Sequence, residues 1–284
     1  MTAVSVRWPE PAVRALPRPV TAFQFETVHS FITRLAHANH VAPQDLRGYA
    51  ARPGDYYPNT ERLGLLSGYP PAVLLNRLRG LRPDERDATR QRARSRPACR
   101  WCCARRGVNE PVHCWFPDHV TACYRHYRWI GPSANTWDDQ VSLTGHHGVI
   151  AAARRHARLH RLHHPDIIEA ALNDALRIVM RQRRLDGQPE CDITNASPSA
   201  RWATAKDVRT HLTTYPQVIT VAGAIIAHRP LLLNAGNENL VIAAFLARAY
   251  MAFHPKTDSV EEALRCWLYD QQIIRRSRHG ARNG

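Results

Sequence analysis

Apolar residues recur at helical spacing along most of the chain. Val28, Phe31, Ile32 and Leu35 share one face of a helix that opens at Thr27 and stops at Asn39. Pro43 opens a short helix to about residue 51, which Arg52-Pro53-Gly54 interrupts. Thr60 suits the N-cap of a helix over 61–66, with Leu63 and Leu66 on one face. Gly68 ends it, and Pro70-Pro71 start another carrying Val73, Leu74 and Leu78. Two short helices about a Gly-containing turn outline a helix-turn-helix. The Arg-rich stretch 79–98 (Arg79, Arg82, Arg86, Arg90, Arg92, Arg94, Arg96) reads as a linker or charged helix. Helical patterning resumes over 149–162 and over 166–185, where Ile167, Ala171, Leu172, Ala175, Leu176 and Val179 line up. A loop over 187–199 follows, then helices over 206–215, 218–227, 239–253 and 259–276. The best strand candidates are 113–116 and 120–122. Residues 1–22 hold Pro9, Pro11, Pro17 and Pro19 without periodicity, and read as a flexible Pro/Arg-rich arm.

These elements predict a mainly α fold in four parts. They are the arm 1–22, a helix-turn-helix-like helical domain 23–94, a small zinc-finger module with a short hairpin 95–133, and a basic helical C-terminal domain 134–284. With 284 residues, 44% of them apolar, the chain is long enough for one large or two ordinary domains. The longest apolar runs, 218–227 and 240–247, fall short of the roughly 18 residues needed to cross a bilayer. The opening Met1-Thr2-Ala3-Val4 carries no apolar run of a secretory signal. The expectation is a soluble, cytoplasmic, nucleoid-associated protein.

Charge sharpens that picture. Lys plus Arg total 39 against 24 Asp plus Glu, a formal +15, and all but Lys206 and Lys256 of the basic residues are Arg. A surplus of this size favours a polyanionic partner, DNA first, with RNA or a nucleoprotein complex also open. Residues 86–128 alone carry ten Arg against Asp87, Glu110 and Asp118, and Arg275, Arg276, Arg278 and Arg282 form a basic tail.

Five of the seven cysteines crowd between Cys99 and Cys123, a clustering that suits metal binding in a reducing compartment better than disulfides. Cys99-Arg100-Trp101-Cys102 and Cys123-Tyr124-Arg125-His126 each have the two-residue gap that turns both side chains toward one ion. The segment between the pairs can form a hairpin that brings them together. Three thiolates and an imidazole make a closed tetrahedral site, structural rather than catalytic, for Zn²⁺. Cys103 could replace Cys102, and His113 or His119 could replace His126, at poorer spacing. Cys114, Cys191 and Cys266 read as small core residues.

Arg100, Arg105, Arg106, Arg125 and Arg128 crowd round this site and are the candidate phosphate contacts. Trp101, Trp115, Tyr124, Tyr127 and Trp129 are interleaved with them, and most are expected to build a compact core about the metal. His156, His160 and His163 recur at i, i+4, i+7; beside Arg154, Arg155, Arg158 and Arg161 they read as a solvated basic face rather than a metal site. Thr144-Gly145-His146-His147 resembles a nuclease His pair only superficially. No Walker loop, nucleophile elbow or acidic triad is present, so the expectation is a protein without catalytic residues.

Two segments together resemble the TniQ family. Phe25-Glu26-Thr27-Val28-His29-Ser30-Phe31-Ile32-Thr33-Arg34-Leu35-Ala36-His37-Ala38-Asn39 is similar to the run that opens its domain. Cys99-x2-Cys102 and Cys123-x2-His126, with Trp129 shortly after, are similar to its zinc motif. The resemblance covers about residues 23–132. It implies a non-catalytic adaptor that selects target sites for mobile elements and communicates with an AAA+ ATPase regulator, while a separate transposase cuts DNA. It further implies that Cys99, Cys102, Cys123 and His126 hold structural zinc and that 26–39 is a structural helix. A zinc-containing transcriptional or chromosome-maintenance regulator, a protein-interaction scaffold and a homodimer stay open as alternatives.

Overall fold

The computed structural model describes residues 13–86, 95–188, 208–233, 238–253 and 258–280, with the backbone alone described at 231–233, 238–241 and 272–280. The fold is mainly α, and it divides into two units, Met1–Phe116 and Pro117–Gly284.

In the first unit, helices α1 (Val28–Ala38), α2 (Pro43–Ala50), α3 (Thr60–Ser67) and α4 (Pro71–Arg77) pack about Phe31, Ile32, Leu35, Leu46, Leu63 and Leu74, all buried. Thr27 caps α1 by accepting from the Ser30 amide at 3.1 Å, and Asn39 is its C-cap, where the helical pattern ends. The α3 cap is Asn59 rather than Thr60; its side chain accepts from the amides of Glu61 and Arg62, so the helix starts one residue earlier. Gly68, at φ 74°, supplies the left-handed turn between α3 and α4.

A four-stranded sheet runs beside the helices in the order β2 (Leu78–Arg79), β1 (Glu26–Thr27), β4 (His113–Trp115), β3 (Ser95–Pro97). β1 is parallel to β2, with Glu26 opposite Leu78, and antiparallel to β4, with Glu26 opposite Cys114. β3 pairs antiparallel with β4 through Arg96 and Cys114. Three expectations change here. Glu26 and Thr27 form a strand, not the first turn of the helix. The stretch 79–98 is neither linker nor charged helix where it is described: Leu78–Arg79, the 3-10 turn Pro83–Glu85 and Ser95–Pro97 are all ordered parts of the unit. The described part of the arm, 13–22, is packed down, with Val13, Leu16 and Val20 against the helical core and the Leu16 amide donating to the Leu66 carbonyl at 2.9 Å.

The second unit opens with a hairpin of β5 (Ala122–Cys123) and β6 (Arg128–Trp129), then five helices: α6 (His147–Leu162), α7 (Pro165–Leu185), α8 (Val208–Leu233), α9 (Glu238–Tyr250) and α10 (Asp258–Gly280). With the five-residue α5 (Arg100–Ala104) of the first unit, the described helices are complete. α8 packs on α6, α7 and α9, and α10 packs on α7. Ile168, Leu172 and Val179 of α7 meet Val218, Ile219 and Ile225 of α8 in a core that includes Phe245 and Leu264. The helices expected over 206–215 and 218–227 are one, running through Pro216. Pro216 removes one helical amide donor, yet Tyr215, Val218 and Ile219 beside it are all buried, and that packing outweighs the lost bond.

β3 and β4 belong to the first unit's sheet, while Ala122 and Trp129 belong to the second unit's core. Cys191, most of the 187–199 loop, Lys206 and Arg282 lie outside the described residues. No described helix is long and apolar enough to cross a membrane.

Candidate metal centre

The ligand atoms of Cys99, Cys102, Cys123 and His126 all lie within 4.8 Å of one another, and the four residues could hold a metal ion. Cys99 is the N-cap of α5, and that short helix carries Cys102 on the following turn. β3 and β4 flank this pair, so the sheet anchors it from both sides in sequence. Cys123 ends β5 and His126 lies in the turn before β6, where the Cys123 Sγ and His126 Nδ1 are 3.6 Å apart. A tetrahedral ion with metal–sulfur near 2.3 Å and metal–nitrogen near 2.0–2.1 Å puts those atoms about 3.6 Å apart. The turn needs Tyr127 at φ 46°, a left-handed conformation unusual for a bulky residue. Trp129 holds the hairpin to its unit: the ring is buried edge-on to Tyr215 at 5.2 Å, and its Nε1–H donates to the Pro132 carbonyl at 3.0 Å.

The candidates sort clearly. Cys102 joins the cluster and Cys103 does not. Burial, with the neighbouring Cys102 charge, pushes the Cys103 thiol up to about 12 and keeps it protonated. Cys114 is buried on β4, its thiol pushed well up by burial, as suits a small core residue. Cys266 is half-buried on α10. His113 sits on β4 and His119 elsewhere, so neither stands in for His126. The two pairs are also not ends of one hairpin: each lies in its own antiparallel connection, β3–β4 and β5–β6.

Arg100, Arg105, Arg106 and Arg125 are exposed. The Arg106 guanidinium stands 4.6 Å from the centre of the Phe23 ring. Arg128 is half-buried, with Nη1 donating to the Gln140 carbonyl. Of Trp101, Trp115, Tyr124, Tyr127 and Trp129, only Trp129 is fully buried. Trp101 is 51% exposed, Tyr124 43% and Tyr127 47%, so these three do not form the compact core expected of them. Flat π-faces beside exposed guanidinium groups can stack on bases or sugars.

Two further groups of polar residues are buried. Glu26 and Arg34 form a fully buried ion pair, with Nε donating to Oε1 at 2.9 Å and Nη2 to Oε2 at 2.8 Å. Ser30 Oγ donates to Glu26 at 3.1 Å and accepts from the His113 amide at 3.1 Å, tying α1 to β4. Phe23 N–H donates to Glu26, and Arg34 also reaches the Thr21 carbonyl at 2.7 Å. Burial pushes the Glu26 carboxyl up, against the lowering pull of Arg34. The spacing Glu26, Ser30, Arg34 was visible in the chain; its role was not.

The histidines of α6 depart most from expectation. His156 is 3% exposed, not on a solvated face, and with His160 it meets His119. Burial holds all three below the ordinary histidine range, His156 at about 3. His163 instead ends α6 as its C-cap, and His146 and His147 begin the helix, exposed. Comparison with protein-family models, curated proteins and solved structures finds no match to this chain.

Proposed function

We propose that this chain is a non-catalytic, zinc-containing DNA-binding adaptor of the TniQ type, acting in target-site selection for a mobile element. The convergence of Cys99, Cys102, Cys123 and His126 carries the reading. Three sulfurs and one ring nitrogen are the soft, tetrahedral donor set that zinc takes in structural sites, with no position left for substrate water. The zinc ion would cross-link the Cys99–Cys102 turn to the β5–β6 hairpin. The opening motif lends support of a second kind. Four polar members of that run, Glu26, Ser30, Arg34 and Asn39, have buried or capping roles, as a motif with an architectural role requires. The α3–turn–α4 pair supports a helix-turn-helix part.

DNA is the partner that fits the +15 chain charge and the exposed Arg100, Arg105, Arg106 and Arg125, with Trp101, Tyr124 and Tyr127 available for stacking. An AAA+ ATPase regulator and a transposase are the protein partners of this reading. Cobalt substitution tests the metal part: a thiolate-to-cobalt absorption band should form in the wild type and vanish in Cys99→Ser and Cys123→Ser. Filter binding tests the DNA part. Affinity should fall steeply with salt, and Arg105→Gln with Arg125→Gln should flatten the slope by about 1 for each phosphate that is no longer neutralised. A flat salt response refutes DNA binding, and a wild type without the thiolate band refutes the metal centre. Genes for a transposase and an AAA+ ATPase beside this one would separate target selection from transcriptional control.

A further inference from the structure

We propose that His119, His156 and His160 form a second site, a three-imidazole cradle for a divalent transition-metal ion, separate from the cysteine-rich centre. The site lies wholly within the second unit. His156 and His160 are one turn apart on α6, the spacing by which a single helix face offers two imidazoles to one ion. His119 arrives from the segment before β5.

The geometry fits an ion rather than a stack of rings. Ring centroids are separated by 4.6 Å (His119–His160), 5.1 Å (His156–His160) and 6.4 Å (His119–His156), with interplanar angles of 40°, 49° and 79°. A metal–nitrogen bond of 2.0–2.1 Å puts each centroid about 3.2 Å from the ion, so tetrahedral angles set centroids about 5 Å apart. The three observed distances straddle that value. The widest of them involves half-buried His119, whose ring is the one that would turn inward onto an ion.

The nitrogens themselves point the same way. His119 Nδ1, His156 Nε2 and His160 Nε2 are each buried from solvent, and none has a hydrogen-bond partner. Buried polar atoms are almost always satisfied, and three orphaned nitrogens in one cluster share an unmet requirement. One dication meets it for all three.

The surroundings are those of a supported ligand. His156 Nδ1 is 3.0 Å from the Tyr215 hydroxyl, which is itself 3.0 Å from Thr121 Oγ1. In the tautomer whose Nδ1–H donates to the Tyr215 oxygen, the lone pair falls on Nε2, the buried atom without a partner. The Asp118 carboxylate is close enough to act on both His119 and His160 and would offset part of the ion's charge. Three neutral nitrogens suit zinc, cobalt or nickel, and leave a coordination position for water or Asp118. The ion would pin the Asp118–His119 segment to α6.

Cobalt and zinc distinguish this site from the first, because imidazole-bound cobalt has no thiolate band. Full-length protein is loaded with Co²⁺, dialysed, and its metal content measured per chain together with its absorption. His119→Gln/His160→Gln should lose one equivalent relative to wild type and leave any thiolate band unchanged. Cys99→Ser/Cys123→Ser should keep the equivalent that the histidine variant loses. Equal metal content in the wild type and the histidine variant would overturn the proposal. Should that variant fail to fold, long-range ¹H–¹⁵N spectra of the wild-type histidine rings give the same decision. Adding Zn²⁺ should shift His119 Nδ1, His156 Nε2 and His160 Nε2 to metal-bound positions, and unmoved resonances would refute the site.

Discussion

Replacing Arg34 with Met keeps most of the side-chain volume and removes the only cation among the described residues that hydrogen-bonds the Glu26 carboxylate. Glu26 then stays buried beside Phe23 N–H and Ser30 Oγ with its bidentate partner gone. Breaking a buried ion pair from one side costs about 3–5 kcal/mol. The three hydrogen bonds that Arg34 gives to Glu26 and Thr21 point to a loss of that order at about 1.5–3 kcal/mol for each charged one, less what water recovers. Against a typical domain stability of about 5–15 kcal/mol, that leaves the first unit marginal. Adding Glu26→Gln to Arg34→Met should recover stability, because no uncompensated charge remains. The pH dependence supplies a second check. Burial already raises the Glu26 carboxyl, and losing Arg34 removes what opposes the rise. A carboxyl raised in the folded state binds its proton more tightly there, so its unfavourable contribution grows as pH rises through the folded value and fades toward the ordinary value of 4.5. The deficit of Arg34→Met should therefore be largest near neutral pH and shrink at about pH 5. Urea unfolding combined with hydrogen exchange of the α1 amides reads the first unit by itself. A single variant within about 1 kcal/mol of wild type, or a double variant no better than the single, would refute the reasoning.

Gly131→Ala would put a Cβ 2.5 Å from the Trp129 ring, and should cost about 1–3 kcal/mol in thermal unfolding of the second unit. Tyr127→Gly should be neutral or slightly stabilising, and Tyr127→Val should cost about 1 kcal/mol, since φ is 46° there; the ordering is read from paired melts. Asn39→Ala removes bonds to both the amide and carbonyl of Arg18 and to the Leu35 carbonyl, and should cost about 1–2 kcal/mol with faster exchange at the end of α1. Trp129→Ala should cost about 3–5 kcal/mol in urea and reduce the affinity of the β5–β6 hairpin for metal, because its anchor to Tyr215 is gone.

What could be read along the chain was whatever is encoded locally. The stop at Asn39, the Pro43 and Pro71 starts and the left-handed Gly68 follow from backbone preferences of single residues, and each has its expected place. The two ligand pairs were legible because a two-residue gap constrains where two side chains can point. Among the strands, β4 falls within the expected run 113–116 and β5 begins at the end of 120–122, whereas β1, β2 and β6 are two residues each, too short for alternation to register. Pro216 lies in the gap between the helices expected over 206–215 and 218–227, yet it sits within one helix that long-range burial maintains.

The same division explains why one histidine cluster was misjudged. His156 and His160 could be paired by helical periodicity, but whether their face met water depended on what packed there. The flanking Arg154, Arg155, Arg158 and Arg161 argued for solvent. Arg154, Arg158 and Arg161 are indeed exposed, while His156 lies on the opposite side of the same helix with Val149, Ala152, Ala153 and Leu159. The third member, His119, comes from a segment with no helical signal, so neither periodicity nor spacing joins it to the other two. Metal centres whose ligands sit in short paired motifs are visible in one dimension. A cluster assembled from a helix face and a distant turn becomes visible only when its nitrogens are found together, buried and without partners.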